Sequence, residues 1–328
     1  MHQTNSSNSR LSGLDVAVLV PCYNEESGIP LVIRSFLEQL PEAVIYVYDN
    51  NSTDNTAEVA ARSGAIVRSE LQRGKGHVVR RMFSDIDAAI YILVDGDDTY
   101  DASSIHSMLD TFLSLQCDMV NGRRVTDEPE AYRFGHQFGN RLLTSMVNWI
   151  FGKRCLDILS GFRVFSRRFV KSFPALSTGF EIETELTVHA LSLNMPITEI
   201  ETTYKNRPEK SASKLNTYRD GFRILWTIFI LTKEERPFFF YSIACSILAL
   251  LSFALGVPVA LEFLETGLVP RFPTAILAAS IMVLAFLCLT TGLVLDSVAR
   301  GRREIKRLHY LNLTWLGQDR RKYSPEIQ

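Results

Sequence analysis

Two long stretches without a charged residue constrain the fold of this chain more than any other feature. They run from Pro237 to Leu261 and from Phe272 to Leu295. A helix that crosses the hydrocarbon core of a bilayer needs about 20 apolar residues, and both stretches reach that length. Soluble core helices are the alternative, but they seldom lack charge on every face over such a length. We therefore predict two transmembrane helices, which start too far from the N-terminus to be a signal peptide.

Basic residues beside these stretches predict how the chain is oriented. Lys233 and Arg236 precede the first stretch, whereas the connecting loop carries Glu262, Glu265 and Arg271. Because basic residues accumulate on the cytoplasmic side, we predict a cell (inner) membrane protein with both termini and the large N-terminal region in the cytoplasm. The basic residues that follow the second stretch are Arg300, Arg302, Arg303, Lys306 and Arg307.

Charge and cysteine content argue against two classes of function. The formal net charge of −1 disfavours nucleic acid as a partner, because phosphate-backbone binders usually carry a clustered basic face. The basic segment after Arg300 has two open interpretations, contact with anionic lipid headgroups or a solvated helix end. The five cysteines show no spacing typical of a zinc site and fit a reducing cytoplasm.

The region before the apolar stretches alternates between strand-like and helix-like patterns. Such alternation predicts an α/β fold with a mostly parallel sheet. Predicted strands are Val16–Val20, Val44–Tyr48, Ala65–Val67, Ile90–Val94 and Asp118–Val120, and predicted helices are about Ile29–Leu40, Thr53–Ser63, one from near Gly76, and Ser103–Leu115.

Three of the predicted strands end in strongly polar loops. These are Pro21–Glu26 (PCYNEE), Asp49–Asp54 (DNNSTD) and Asp95–Asp98 (DGDD). The carboxyl ends of parallel strands form the ligand-binding edge of an α/β sheet, so we predict that the three loops share one site. An ordinary dinucleotide-binding dehydrogenase is disfavoured, because PCYNEE stands where such a fold has GxGxxG.

The carboxylates of the DGDD loop predict a cation site. Asp95 and Asp97 flank a glycine, so they can converge on one hard divalent cation that keeps positions open for phosphate oxygens. Clustered carboxylates without a cation would raise one another's pKa values. For this motif in isolation, a solvated acidic turn or a helix cap by Asp98 or Asp101 is the alternative. The segment RGKG strengthens the cation interpretation, because its glycine-flanked Lys75 suits the approach of a phosphate.

The order of the motifs PCYNEE, DNNSTDNT, RGKG and DGDD resembles glycosyltransferase family 2 over roughly Asp15–Leu215. The resemblance implies the GT-A fold. Within the family the chain looks like the polyprenyl-phosphate glycosyltransferases, the group of dolichol-phosphate mannose synthase, which transfer one sugar from a nucleotide donor to a lipid phosphate. It therefore implies a UDP- or GDP-linked nucleotide-sugar donor, a polyprenyl-phosphate acceptor, Mg2+ or Mn2+ and a lipid bilayer, and it leaves a homo-oligomer open.

The resemblance also implies roles at the donor site. Asp97 would ligate Mg2+ or Mn2+ that bridges the diphosphate, and Asp95 would face the ribose or the metal. Thr99 stands where the mannose synthases have a glutamine that helps to hold the metal, which leaves the third protein ligand and the metal preference open. The nucleotide-sugar site would also contain Pro21, Tyr23 and Glu25 around the nucleoside, Asp49 accepting from the base, and Lys75.

On the acceptor side, Arg124, Arg141 and Ser145 match positions that grip the lipid phosphate in that group. Arg141 and Ser145 are four residues apart, so a helix would place a guanidinium and a hydroxyl on one face as phosphate donors. Arg123 is the alternative to Arg124 if the register differs by one residue.

Two downstream segments resemble parts of the family's reaction centre. Asp157 begins DILSGFR, and it would bind sugar hydroxyls or orient another group. The basic loop of residues 204–215 would place Arg207 and Lys214 near the donor phosphates. A role in binding sugar hydroxyls is also open to Glu181, Glu183 and Glu185, although a solvated helix face is the favoured interpretation.

The expected acceptor simplifies the predicted reaction. A lipid phosphate has a second pKa of about 6, so at neutral pH it is largely dianionic and already nucleophilic. The reaction therefore needs no strong general base. We predict one in-line displacement at the anomeric carbon with inversion, in which Lys214 or Arg207 stabilises the departing diphosphate. Arg219–Lys233 has near-helical apolar spacing and predicts an interfacial amphipathic helix or an ordinary packed helix.

Two rival functions stay open. A processive polysaccharide synthase of the same superfamily would usually carry QxxRW, which this sequence lacks. A non-catalytic membrane scaffold would be expected to have lost the cation motif, whereas Asp95 and Asp97 are both present. The predicted segments are a disordered tail at 1–13, a GT-A catalytic domain at 14–215, a juxtamembrane helix at 216–236, two transmembrane helices at 237–299 and a basic cytoplasmic tail at 300–328.

Overall fold

The computed structural model describes residues 13–125, 134–152, 155–174, 179, 181–205, 226, 229–230 and 232–316. The chain divides into two compact units, residues 1–222 together with 306–328, and residues 223–305. The first unit contains a seven-stranded sheet, and the second contains long apolar helices.

The strands of the sheet are β1 Val16–Cys22, β2 Val44–Asp49, β3 Ile66–Ser69, β4 Ile90–Leu93, β5 Met119–Val125, β6 Arg163–Ser166 and β7 Ile197–Thr203. They lie in the order β3-β2-β1-β4-β6-β5-β7, and every neighbouring pair that does not include β6 is parallel. The exception is β6, which pairs antiparallel with both β4 and β5. The sequence predicts the first five strands, so the mostly parallel α/β fold is confirmed.

Helices connect these strands as the alternating pattern predicts. One predicted helix starts later than expected, at Thr56 rather than Thr53. The residues before it belong to the loop, where the backbone N–H groups of Thr53 and Asn55 donate to side chains of Asn24 and Glu26. The helices of the first unit are α1 Ile29–Gln39, α2 Thr56–Arg62, α3 Lys75–Asp85, α4 Ile105–Ser114, α5 Phe134–Phe151, α6 Arg167–Ser172 and α7 Ile182–Ser192.

Both faces of the sheet are covered by apolar side chains. Val18 and Val20 of β1 belong to one core cluster, whereas Leu19 belongs to the cluster on the opposite face. This follows from the two-residue period of a strand, which sends neighbouring side chains to opposite faces. Strands buried on both faces become rigid supports for the loops at their ends.

Residues just after the second apolar stretch also pack on the sheet unit. The buried Tyr310 hydroxyl donates to Asp118 Oδ2 (2.5 Å), and Trp315 Nε1 donates to the Cys117 carbonyl (2.8 Å). The Trp315 ring stacks on Phe112 at 5.3 Å between centroids. The segment predicted to be a basic tail from residue 300 therefore begins as helix and then packs against the sheet unit.

The second unit contains α8, Pro237–Thr266, and most of α9, Phe272–Leu311. Both helices contain a stretch that is long and apolar enough to cross a membrane. Small residues allow close contact between them: Ser252 Oγ donates to the Ala278 carbonyl at 2.7 Å. Interhelical contact through small and hydroxyl side chains is typical of membrane helices. Most of the predicted interfacial helix, Arg219–Lys233, lies outside the described residues.

Candidate active site

The loops after β1, β2 and β4 lie at one edge of the sheet. Cys22 pairs with Asp49, and Leu19 pairs with Leu93, so the three parallel strands end at the same edge. The first two loops are also joined directly, because Asn24 N donates to Ser52 Oγ at 2.9 Å. We name this region the donor edge, and it comprises residues 21–26, 49–54, 73–76 and 95–99.

Asp49 presents an unsatisfied acceptor at the donor edge. Its carboxylate is buried, and Oδ2 accepts from Ser52 N at 3.1 Å. Oδ1 has no hydrogen-bond partner among the described residues. A buried acceptor without a donor costs free energy, so this oxygen is suited to accept from a ligand N–H. The other residues predicted to line the nucleoside lie in the adjoining β1 loop, with Glu25 buried, Pro21 partly buried and Tyr23 beneath the Arg73 guanidinium at 5.7 Å from the ring centroid.

The side chain of Asn50 holds the RGKG segment against this edge. Its Nδ2 donates to the carbonyls of Glu70 (3.0 Å) and Gln72 (2.7 Å), and its Oδ1 accepts from Gly74 N at 2.7 Å. Gly74 has φ of 132°, a backbone conformation that favours glycine. The turn therefore fixes where α3 begins, and α3 begins with Lys75.

Lys75 does not extend toward solvent. Its Nζ donates to Asp95 Oδ1 at 2.5 Å and to Glu183 Oε1 at 2.6 Å. Burial lowers the pKa of the Lys75 ammonium, but the two carboxylates raise it by more, and the net shift is upward. Burial raises the pKa of Glu183, while Lys75 acts in the opposite direction. The three residues form a buried charged group, which we name the Lys75 triad.

Glu183 corrects the sequence interpretation of its helix. The glutamates at 181, 183 and 185 were expected on a solvated face, but Glu183 is buried and nearly all of α7 is packed on every side. The available signal was the apolar character of the neighbours Ile182, Leu186 and Val188. Period alone could not reveal the burial, because a helix enclosed on all faces has no polar stripe.

Asp97 lies deeper than Asp95. Its side chain is buried, and Oδ1 accepts from the Thr99 hydroxyl at 2.7 Å. Thr99, which replaces the glutamine of the mannose synthases, thus contacts the carboxylate directly. The DGDD turn is tightly packed, since a Cβ on Gly96 would lie 2.6 Å from Cys22 Sγ, and one on Gly28 would lie 2.7 Å from the Gly96 carbonyl oxygen. Because the atoms near Gly28 belong to the backbone of the DGDD turn, a side chain at Gly28 would displace that turn.

The donor set of Asp95 and Asp97 fits a small divalent cation. Mg2+ typically binds through one or two carboxylates, with water and substrate phosphate oxygens as its other ligands. The structure places two carboxylates of one turn at the donor edge and, within the described residues, no cluster of three or more His, Cys, Asp or Glu that could enclose an ion. This set suits a cation shared with a bound phosphate better than a structural site.

Arg124 and Asp157 form a bidentate ion pair. Arg124 Nε and Nη2 donate to the two carboxylate oxygens of Asp157, each at 2.8 Å. The Arg124 guanidinium also lies over the Tyr204 ring, 5.6 Å from its centroid. The neighbouring Arg123 instead pairs with Glu201, whose side chain is largely exposed. The structure therefore distinguishes two arginines that the sequence could not separate.

The segment around Gly161 braces Asp95 from the opposite side. A Cβ on Gly161 would clash with Asp95 Oδ2, and Gly161 N donates to the buried Tyr100 hydroxyl at 2.8 Å. Arg163 is fully buried and holds the turn internally, with bonds to the carbonyls of Ser160 (2.9 Å) and Ile158 (2.7 Å). Burial lowers the pKa of the Arg163 guanidinium. Within DILSGFR the glycine thus contacts Asp95, whereas the arginine is internal.

Arg141 and Ser145 are exposed on one face of α5, which contacts α7. Arg207 and Lys214 lie outside the described residues. The chain leading to them leaves from the donor edge, because Lys205 N donates to the Thr99 carbonyl at 2.8 Å and the centroids of the Tyr204 and Tyr100 rings lie 5.3 Å apart.

Several proteins are similar in sequence to large parts of this chain. The chain is 55% identical over 155 residues to an uncharacterized protein of Shigella flexneri, covering 47% of this chain and 95% of the relative. It is 36% identical over 228 residues to glycosyltransferase AglJ of Haloferax volcanii, covering 69% of this chain and 75% of the relative. It is 26% identical over 223 residues to a dolichyl-phosphate hexose transferase of the same organism, covering 68% and 96%.

Solved structures share the fold. Glucosyl-3-phosphoglycerate synthase from Mycobacterium tuberculosis, in complex with Mn2+, UDP-glucose and phosphoglyceric acid, matches with a TM-score of 0.55 and 21% identity, covering 69% of this chain and 82% of that one. The model of glycosyl transferase family 2 matches residues 17–173. Together with the identity to AglJ, this match shows that the chain belongs to glycosyl transferase family 2.

Proposed function

We propose that this protein is a membrane-bound, inverting glycosyltransferase that moves one sugar from a UDP- or GDP-sugar to a polyprenyl phosphate. The observation that carries the proposal is the carboxylate pair of Asp95 and Asp97 at the donor edge, beside the unsatisfied Asp49 oxygen. The dolichyl-phosphate hexose transferase among the relatives supports the acceptor, and the synthase bound to Mn2+ and UDP-glucose supports the donor and the metal. The apolar helices α8 and α9 support attachment to a membrane.

At the donor edge the protein orients the nucleotide sugar. Asp49 Oδ1 would accept from the base, and Pro21, Tyr23 and Glu25 would surround the nucleoside. Asp95 and Asp97 would hold Mg2+ or Mn2+, which neutralises charge on the diphosphate when bound. The loop that contains Arg207 and Lys214 would add cations beside the leaving diphosphate, because it is anchored at this edge by Tyr204 and Lys205.

On the acceptor side the protein positions a second anion. Arg141 and Ser145 would donate to the lipid phosphate, and Arg124 would do so from the end of β5. Asp157 accepts from both Nε and Nη2 of Arg124 and therefore fixes the orientation of the guanidinium. The acceptor oxygen then attacks the anomeric carbon, the bond to the diphosphate breaks, and the configuration inverts. The catalytic work is to bring two mutually repelling anions into line.

The membrane part fits an acceptor that never leaves the bilayer. We propose that α8 and α9 span the membrane with the sheet unit on the cytoplasmic side, as the flanking basic residues predict. The catalytic domain would then extend over residues 14–215, followed by the juxtamembrane segment 216–236.

A direct assay tests the proposed reaction. Full-length protein in nanodiscs is supplied with undecaprenyl or dolichyl phosphate, a panel of UDP- and GDP-sugars, and Mn2+ or Mg2+, and both nucleoside diphosphate and lipid-linked sugar are measured. We expect equal release of both products, dependent on the lipid phosphate and abolished by EDTA. Release of nucleoside diphosphate without lipid-linked sugar would show that polyprenyl phosphate is not the acceptor. Donor binding without any turnover would favour the non-catalytic scaffold.

A further inference from the structure

The Lys75 triad contains a residue to which the proposed reaction assigns no role. Glu183 lies 108 positions from Lys75 in the sequence and shares its ammonium with Asp95. The side chains of Lys75 and Glu183 are 9% and 10% exposed, whereas that of Asp95 is 28% exposed. Of the three side chains, that of Asp95 is therefore the most exposed, and those of Lys75 and Glu183 lie deeper.

Charge explains what Glu183 adds to this group. Lys75 alone would neutralise Asp95, because one ammonium would bind one carboxylate at 2.5 Å. With Glu183 the triad has two negative charges and one positive charge, so a net charge of −1 remains beside Asp97. A divalent cation at the donor edge is attracted by this remaining charge, whereas a neutral pair would not attract it.

The packing fixes the arrangement. Gly161 contacts Asp95 on its second oxygen, where no Cβ would fit, and α7 contacts α3, the helix that begins with Lys75. Burying three charges together costs desolvation free energy and is poor evidence for a purely stabilising role. The burial of Lys75 and Glu183 beside Asp95 is better explained by their effect on the charge and orientation of the Asp95 carboxylate.

We propose that Glu183 is a positioning residue that withdraws part of the Lys75 charge from Asp95 and so keeps Asp95 able to bind a divalent cation. The inference rests on the cation role given to Asp95 and Asp97 in the proposed function. Lys75, on this view, orients the Asp95 carboxylate and does not extend into the phosphate site.

Direct measurement of Mn2+ binding tests the proposal without turnover. Full-length native protein and the variants Glu183→Gln, Lys75→Met and Lys75→Met/Glu183→Gln are titrated with Mn2+ in the presence of UDP and, separately, GDP. Free Mn2+ is followed by electron paramagnetic resonance, and thermal unfolding confirms that each variant is folded.

We expect the two single variants to change Mn2+ affinity in opposite directions. Glu183→Gln leaves the Lys75 charge uncompensated and should weaken Mn2+ binding at least about tenfold. Lys75→Met should bind Mn2+ at least as tightly as the native protein. The double variant should return to within about threefold of the native affinity, because both charges have been removed.

A purely structural role gives a different pattern, in which both single variants weaken binding and the double variant is the weakest; that pattern would overturn the proposal. Unchanged affinity in Glu183→Gln would overturn it as well. If Glu183→Gln does not fold, the double variant decides, and a loss of more than about tenfold contradicts the proposal. Native protein that binds no Mn2+ with either nucleotide would reject both this inference and the metal role in the proposed function.

Discussion

The donor edge and the exposed face of α5 are proposed to bind two anions, yet they are built in different ways. At the donor edge the key carboxylates are buried or braced, and Asp97 accepts from Thr99 while Asp95 is held by Lys75. On α5, Arg141 and Ser145 are exposed on a single helix face. One site is assembled from loops of three strands, and the other requires only helical spacing.

This difference suggests a division of labour. A buried, preorganised edge can hold a diphosphate in one geometry with little reorganisation when the reaction proceeds. An exposed helix face suits an acceptor whose long chain stays outside the protein. Substitutions at the donor edge should therefore affect the rate of transfer, whereas substitutions on α5 should affect acceptor affinity.

The largest effect is expected at Asp97. Asp97→Ala removes a buried carboxylate of the proposed cation pair and should lower kcat/KM by on the order of 1,000-fold. Asp98→Asn is the matched control, because asparagine tolerates the left-handed backbone found there, with φ of 56°. Steady-state assays of both variants with saturating lipid phosphate measure the difference. Comparable losses in the two would show that the turn, and not the Asp97 carboxylate, limits the rate.

The next prediction concerns the ion pair between Arg124 and Asp157. Arg124→Met and Asp157→Asn should each lower kcat/KM about 100-fold, and the double variant should be little worse than either, because the two residues form one unit. Arg123→Met should stay within about threefold of native, since its partner Glu201 is largely exposed. The double-mutant cycle measures the coupling. If Arg123→Met lowered kcat/KM more than Arg124→Met, Arg123 and not Arg124 would be the arginine that binds the acceptor phosphate.

The α5 face should give a smaller and more selective effect. Arg141→Ala should raise the KM for polyprenyl phosphate about tenfold, and Ser145→Ala about threefold, because a charged donor contributes more than a hydroxyl. The KM for the nucleotide sugar should not change. Arg34→Ala, which removes an exposed arginine of α1, is the control. If Arg141→Ala raised the KM values for polyprenyl phosphate and for the nucleotide sugar equally, the α5 face would not be selective for the acceptor.

The last prediction concerns the stability of the fold rather than activity, and it involves a buried histidine of α7. Burial, with a smaller contribution from Lys306, lowers the pKa of His189 on α7 to about 3. In the unfolded chain a histidine has a pKa of about 6.5, so the unfolded chain binds more protons than the folded chain between pH 3 and 6.5. The free energy of unfolding should therefore fall as the pH decreases through this range, by up to about 1.4 kcal/mol per pH unit. His189→Gln should remove this contribution. Thermal unfolding of both proteins from pH 7 to 4 measures it, and parallel curves would contradict the assignment.

Much of the donor edge could be predicted because its residues follow strands. The ends of β1, β2 and β4 are marked by abrupt changes from apolar to polar residues, and parallel pairing brings such ends together. The antiparallel β6 was missed because its four residues, RVFS, show no alternation when both faces are buried. Glu183 was misinterpreted because its partner Lys75 lies more than 100 positions away, a distance that no local pattern spans.

The sequence by itself determined the family, the alternating α/β fold and the two apolar helices, because motif order, periodicity and uncharged length are local properties. Only the tertiary structure decided that Lys75 faces Asp95 and Glu183, that Arg124 rather than Arg123 binds Asp157, and that Tyr310 and Trp315 pack on the sheet unit. These are contacts between distant segments, and they are fixed by which charges share one buried space and which helix faces become enclosed.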